Sequence, residues 1–473
     1  VLVAVAGAAL AVLCRKAFGA YFFSETFTYL TSYRAAGESF WRMLASPHGG
    51  VFFRPVLWAV NLPWNLWLPP DPLLYHLRNA ALVLVNLALL HRILLRTVPV
   101  RGARVVAVLF VAFSKVHLTT IGYVAAFSTL VMLSLTLVAM LFLLRGAQSG
   151  RTVDGLVGLG AAGLCVFTKD YGAAVVPVLA ALWLAYGRAM PARRFFLRWL
   201  APLSVVVAAS LVLRAVVVGA PPSSGPYAPR LDAIVSVRKL AAAAGTLGNF
   251  SLLEPAHVTG GRGVARWVTG EEGADAGQVV ELVLTLLFLG ILLATVLALR
   301  LLVPLVWGAA FFLPTFLTRN EQMYYLNDLV AAVGLLLGIA LGELPRRWTR
   351  AWCVLLVVVA LNAGASQQRM AYVWYDYASE LAPLRGVVHR FGGRKVGRVV
   401  AVTTRVGHWQ FALDAGGRGT MLGELLRSPD LTVEVVTPAD WRGEAAPPPG
   451  TLVLDADDGL RVLASTVPGA QAR

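Results

Sequence analysis

The chain has 473 residues, 58% of them apolar and only 14% charged, with a formal net charge of +16. A soluble domain carries about 25% charged residues, so the composition excludes an ordinary soluble globular protein. The basic excess is mostly arginine placed in short loops between apolar runs, a topology pattern that argues against nucleic acid as a partner.

Apolar runs of spanning length recur through the first 366 residues. They predict helices at 1–22, 73–95, 104–117, 124–144, 153–168, 172–187, 196–218, 278–298, 301–317, 325–343 and 351–366. That makes about eleven transmembrane helices, several shorter than a straight span needs. The turns Lys115–Tyr123 and Lys169–Tyr171 are therefore expected to tuck into one membrane face between paired helices. The first run is short before Arg15 and Lys16 and begins without methionine, so a natural N-terminus upstream of Val1 is expected. Cys14, Cys165 and Cys353 lie in or beside apolar segments with no CxxC pair, which indicates neither a disulfide framework nor a zinc site.

Every second loop is Arg-rich: Arg92, Arg96, Arg101 and Arg104; Arg145 and Arg151; Arg188, Arg193 and Arg194; Arg300; then Arg346, Arg347 and Arg350. With alternating helices these fall on one side, the cytoplasmic one. The N-terminus is then cytoplasmic. Two long outer loops follow, at about 23–72 and 219–277. In the first, Trp58, Trp64 and Trp67 suit a helix lying in the membrane interface. Beyond residue 366 the pattern changes to short apolar strands, Val396–Thr403, Leu431–Pro438 and Thr451–Asp455, between helical stretches near 376–390 and 409–427. The expected fold is thus an all-α polytopic membrane domain, 1–366, with a small extracytoplasmic α/β domain at 367–473.

Charges within a bilayer cost roughly 2.5–3.5 kcal/mol each at mid-helix, so those that persist are usually paired or functional. Here they gather at the outer ends of the helices: Glu25, Arg54, His76, His117, Lys169, Asp170, Arg214, Arg319, Glu321 and Asp328. A ring of acids and bases above apolar helices suits an amphiphilic substrate with its polar head at the surface and its tail in lipid. A lipid-linked phosphate donor brings its own leaving group. One carboxylate then suffices to deprotonate the acceptor hydroxyl while cations stabilise the departing phosphate. Glu25 is the candidate base. Lys169, Arg319 and Arg54 are candidate phosphate partners, and His76, His117, Asp170 and Glu321 are further substrate-binding candidates. No protein metal site is assigned.

The order Phe23-Ser24-Glu25-Thr26-Phe27, Phe53-Arg54-Pro55-Val56 and Tyr75-His76-Leu77-Arg78-Asn79 resembles the first outer loop and second helix of the GT-C glycosyltransferases. It is most similar to the protein O-mannosyltransferase-like branch whose other members carry tetratricopeptide repeats. Thr168-Lys169-Asp170 resembles that family's Ser-Lys-Glu step, and Glu321-Gln322-Met323-Tyr324-Tyr325-Leu326 its Glu-Arg-Tyr-Leu-Tyr-Leu segment. The resemblance covers most of residues 20–330. It implies an inverting hexosyltransferase that uses a polyprenyl-phosphate sugar as donor and a protein or glycan as acceptor, and the preference for Arg over Lys with abundant Ala and Gly points to a bacterial plasma membrane. Divalent metal serves some branches and not others, which leaves a metal open. The chain departs from the pattern at Ser24-Glu25, where the family pairs two acids, at Gln322, and in lacking the repeats. A lipid or glycan transporter would place charges at mid-depth on repeated, broken helices. A non-catalytic membrane scaffold would use its outer domain to hold a partner.

Overall fold

The computed structural model describes residues 2–19, 38–47, 52–67, 71–219, 302–316, 323–343 and 382–468, apart from short gaps within them, with isolated positions between 239 and 290. Glu25, Arg319, Glu321 and the predicted span 351–366 lie outside the described residues, as does 278–298 but for Val283 and Gly290. The membrane region is helical: α1 (Leu2–Leu13), α2 (Phe40–Ala45), α3 (Pro55–Trp67), α4 (Pro72–Thr97), α5 (Arg101–Ala112), α6 (Val116–Gly122), α7 (Phe127–Ser149), α8 (Thr152–Val166), α9 (Val175–Tyr186), α10 (Ala192–Val218), α11 (Leu302–Phe316) and α12 (Asn327–Glu343). Among the described residues, Pro72–Thr97, Val124–Ser149 and Ala192–Val218 are long and apolar enough to cross a membrane, and α5 with α6 makes a fourth if counted as one bent span. The apolar helices Leu2–Leu13, Thr152–Val166, Gly172–Tyr186 and Leu302–Pro314 are shorter.

Local chemistry sets these boundaries. Asp71 caps α4 by accepting from the Leu73 amide at 3.0 Å, and Pro72 supplies the first helical residue. Gly150 ends α7 in the left-handed region, at φ 70°. The helices then pack in sequence neighbours and beyond: α4 and α8 on α7, α5 on α12, and α9 on α11. Two glycines let α12 press closely. A Cβ on Gly334 would stand 2.3 Å from a Val111 methyl, and one on Gly338 2.6 Å from a Leu94 methyl. Small residues at such crossings are how apolar helices gain contact without a hydrophobic driving force.

The span expected at 104–117 is broken. α5 stops at Ala112, and α6 leaves at 53° to it, so the predicted turn Lys115–Tyr123 is a short helix buried along its whole length. Side chains of α6 bond to carbonyls on both sides of the break. His117 Nε2 donates to the Val111 carbonyl at 2.8 Å, and Thr119 and Thr120 hydroxyls donate to the Val116 carbonyl at 3.0 and 2.6 Å.

Among the described residues, two of the Arg-rich groups meet at one end of the bundle. Arg96, in the last turn of α4, donates to Gln148 near the end of α7, and Arg145 pairs with Asp154 at 3.3 Å across the α7–α8 turn. The opposite end carries α3, a helix over the Trp-rich segment. Trp58 turns inward there, at 3% exposed, and Trp67 outward, at 77%.

The C-terminal segment forms α13 (Leu384–Phe391) and a four-stranded sheet, β1 (Arg398–Val402), β2 (Thr432–Val436), β3 (Thr451–Asp455) and β4 (Arg461–Ser465), in the order β2-β1-β3-β4. β1 is parallel to both β2 and β3, and β4 is an antiparallel edge. The central strands are nearly buried throughout and the edge strands alternate, as their positions require. A buried apolar cluster joins this sheet (Val399, Ala401, Leu452, Leu454) to Trp58, Tyr75, Tyr123 and Phe127, so the α/β unit belongs to the end of the bundle that bears α3.

Candidate active site

The turn between α8 and α9 is built by its backbone. The Thr168 amide donates to the Cys165 carbonyl at 3.1 Å, and the Gly172 amide donates to the Lys169 carbonyl at 2.9 Å. Gly172 must be glycine, because a Cβ there would lie 2.0 Å from the Cys165 carbonyl oxygen. This tight reversal holds Lys169, Asp170 and Tyr171 at the end of α8 opposite Asp154 and its partner Arg145.

Asp170 is the centre of the cluster. Its Oδ2 accepts from Arg54 Nη2 at 2.8 Å and Nε at 3.3 Å, and its Oδ1 accepts from Arg214 Nη1. Burial acts to raise the Asp170 carboxyl, but Arg54 and Arg214, with Lys169 in support, hold it below the usual carboxylate range. Arg214 Nη2 also donates to the Lys169 carbonyl at 2.8 Å, and its Nε donates to Ser210. The Arg54 guanidinium lies 4.0 Å over the Phe52 ring.

Lys169 is 1% exposed. Its ammonium donates to the Tyr171 hydroxyl at 3.3 Å and stands 4.2 Å from the centre of the Tyr325 ring. Tyr171 meets Tyr325 and Phe311 edge-on, at 6.0 and 6.3 Å. Burial, then neighbouring Tyr325 and Asp328, push the Tyr171 hydroxyl well above its ordinary value, so it stays protonated at neutral pH. Asp328 itself is buried at the start of α12 and accepts from Trp307 Nε1 at 3.2 Å.

The structure therefore brings together Arg54, Lys169, Asp170 and Arg214 from the outer charges named above, and adds Tyr171 and Tyr325. His76 and His117 are placed differently. Each is buried with a ring nitrogen 2.8 Å from a backbone carbonyl, Ile121 for His76 and Val111 for His117. These contacts tie α4 to α6 and close the α5–α6 break. Arg78, which sequence reading quoted only as part of a motif, is a buried hub. It donates to Asn61 at 3.0 Å and to the Val124 carbonyl at 3.1 Å, and lies 4.0 Å over Phe127. It thereby fastens α3 to the bundle. Among the described residues no three His, Cys, Asp or Glu side chains gather to hold a metal ion, and Asp170 is already engaged by two guanidiniums.

No family model matches the chain, and no curated protein matches it in sequence. Among solved structures it is similar to apo ArnT from Cupriavidus metallidurans, at TM-score 0.48 and 15% identity, over 98% of this chain and 96% of that one. The apo oligosaccharyltransferase of Archaeoglobus fulgidus follows at 0.45 and 12%, over 86% and 63%. Mycobacterial arabinofuranosyltransferase AftD stands at 0.41 and 17%, over 84% and 30%, so the chain spans less than two thirds of these last two. At these scores and identities the likenesses carry no information on chemistry, which must come from the chain's own residues.

Proposed function

We propose that the chain is a GT-C-like membrane glycosyltransferase that moves a sugar from a polyprenyl-phosphate donor to a hydroxyl of a protein or glycan, at the extracytoplasmic face of the plasma membrane. The observation that supports this reading is the meeting of Arg54, Arg214 and Lys169 around Asp170 at one end of apolar helices. Guanidinium forks match phosphate oxygens two at a time, and a buried ammonium strengthens any anion beside it. The surrounding helices are apolar along their length and suit a polyprenyl tail in lipid.

In the proposed reaction the acceptor oxygen attacks the anomeric carbon from the face opposite the phosphate. The new glycosidic bond forms as the carbon–oxygen bond to phosphate breaks, with inversion. The acceptor proton passes to Glu25, and the bonding pair leaves with the polyprenyl phosphate. Arg54, Arg214 and Lys169 stabilise the charge that grows there. Arg319 and Glu321 complete the proposed substrate contacts. The test is turnover of purified protein in nanodiscs against a panel of polyprenyl-phosphate hexoses and pentoses. Release of polyprenyl phosphate that is lost in Lys169→Ala supports the reading, and no turnover across the panel sinks it.

A further inference from the structure

Transfer changes the charge on the donor. A polyprenyl-phosphate sugar is a diester with one negative charge, and its departure leaves a monoester that carries about −1.5 to −2 at neutral pH. Two guanidiniums favour that more charged leaving group, and the same preference tends to trap the product. We propose that Asp170 is a resident anion that exchanges with lipid phosphate for Arg54 and Arg214, yielding its place as the donor binds and retaking it to expel the polyprenyl-phosphate product. The inference rests on the donor proposed above.

Geometry carries it. Arg54 grips Asp170 through Nη2 and Nε on one oxygen while Arg214 takes the other, which is the arrangement a phosphate would meet. The arginine side chains are 7% and 16% exposed and the Asp170 side chain is 35% exposed, so the carboxylate is the member of the cluster open to exchange. Both guanidiniums also have anchors of their own. Arg214 holds the Lys169 carbonyl and Ser210, and Arg54 rests on the Phe52 ring. They keep their places when the carboxylate leaves. Asp170 lies in a turn rather than in a helix, so its side chain can swing without moving a span. It touches neither the sugar nor the breaking bond, and it acts through the arginines on binding and release.

The test is titration of polyprenyl monophosphate, without sugar, into the full chain in nanodiscs by native mass spectrometry, for wild type, Asp170→Asn and Asp170→Glu. The exchange predicts about tenfold tighter binding to Asp170→Asn, since the competing charge is gone, and near-wild-type binding to Asp170→Glu. In turnover, Asp170→Asn then shows KM and kcat falling together. Unchanged or weaker binding to Asp170→Asn overturns the inference, because a carboxylate that only organises the arginines would lower affinity when lost. If that variant does not fold, the wild type with polyprenyl phosphate bound decides by cryo-electron microscopy. Phosphate between Arg54 and Arg214 with Asp170 released supports the exchange, and Asp170 still bonded to both overturns it alone. Failure of the lipid phosphate to bind any form overturns the donor assignment as well.

Discussion

Arg54 and Asp170 stand 116 positions apart in the chain and meet at 2.8 Å, with a second donor of the same guanidinium at 3.3 Å. This contact ties the segment before α3 to the turn between α8 and α9. Arg54→Lys keeps the charge and loses the fork. Activity is expected to fall roughly 10–100-fold, the equivalent of one charge-assisted hydrogen bond, with KM for donor carrying most of the change. Steady-state kinetics on the purified variant check it.

Asp170 also makes a pH prediction. Its carboxyl is held below the usual range in the folded chain, so its contribution to stability is complete above the unfolded value of about 3.9 and is lost only as pH falls through the lower folded value. The gap in melting temperature between wild type and Asp170→Asn is therefore expected to stay constant from pH 7 to about 5 and to shrink below about 4. A gap that closes near neutral pH contradicts the ion-pair geometry.

Gly172→Ala tests the turn itself. The added methyl meets the Cys165 carbonyl oxygen, a backbone atom that cannot step aside. The turn must open, with an expected cost of about 1–3 kcal/mol and displacement of Lys169 from Tyr325. Thermal denaturation in detergent should show the first effect, and donor binding the second.

Arg78→Leu removes a buried guanidinium and leaves Asn61 and the Val124 carbonyl without their donor. We expect a loss of about 3 kcal/mol and faster proteolysis within Pro55–Trp67, since this hub fastens α3. Proteolysis rates equal to wild type would show that α3 is held without Arg78.

Much of the architecture was readable because lipid imposes a simple rule, long apolar runs with arginine on one side. The helices at Pro72–Thr97 and Asn327–Glu343 fall close to where hydropathy put them. Hydropathy put a tucked turn at Lys115–Tyr123; what it could not read is that this turn is a short buried helix, marked by the side-chain hydrogen bonds of His117 and Thr120. β4 was missed for a related reason, as Arg461–Ser465 is an edge strand with a short, mixed sequence. In the site, a Lys-Asp pair at a turn and an Arg before Pro55 stood out as costly charges. Arg214 was visible as a lone charge in an apolar helix, but its bond to Asp170 is a tertiary fact. The contacts of His76 and His117 are tertiary facts of the same kind, each ring holding one nitrogen against a backbone carbonyl.

The most direct test of the central claim is the polar lipid pool, measured by mass spectrometry in cells lacking this protein and in cells complemented with wild type, Glu25→Gln or Lys169→Ala. The account predicts that a polyprenyl-phosphate sugar accumulates in the deletion, that wild type clears it, and that neither variant does. An unchanged lipid pool in every strain would contradict the lipid-linked donor and move a scaffold or transport role ahead.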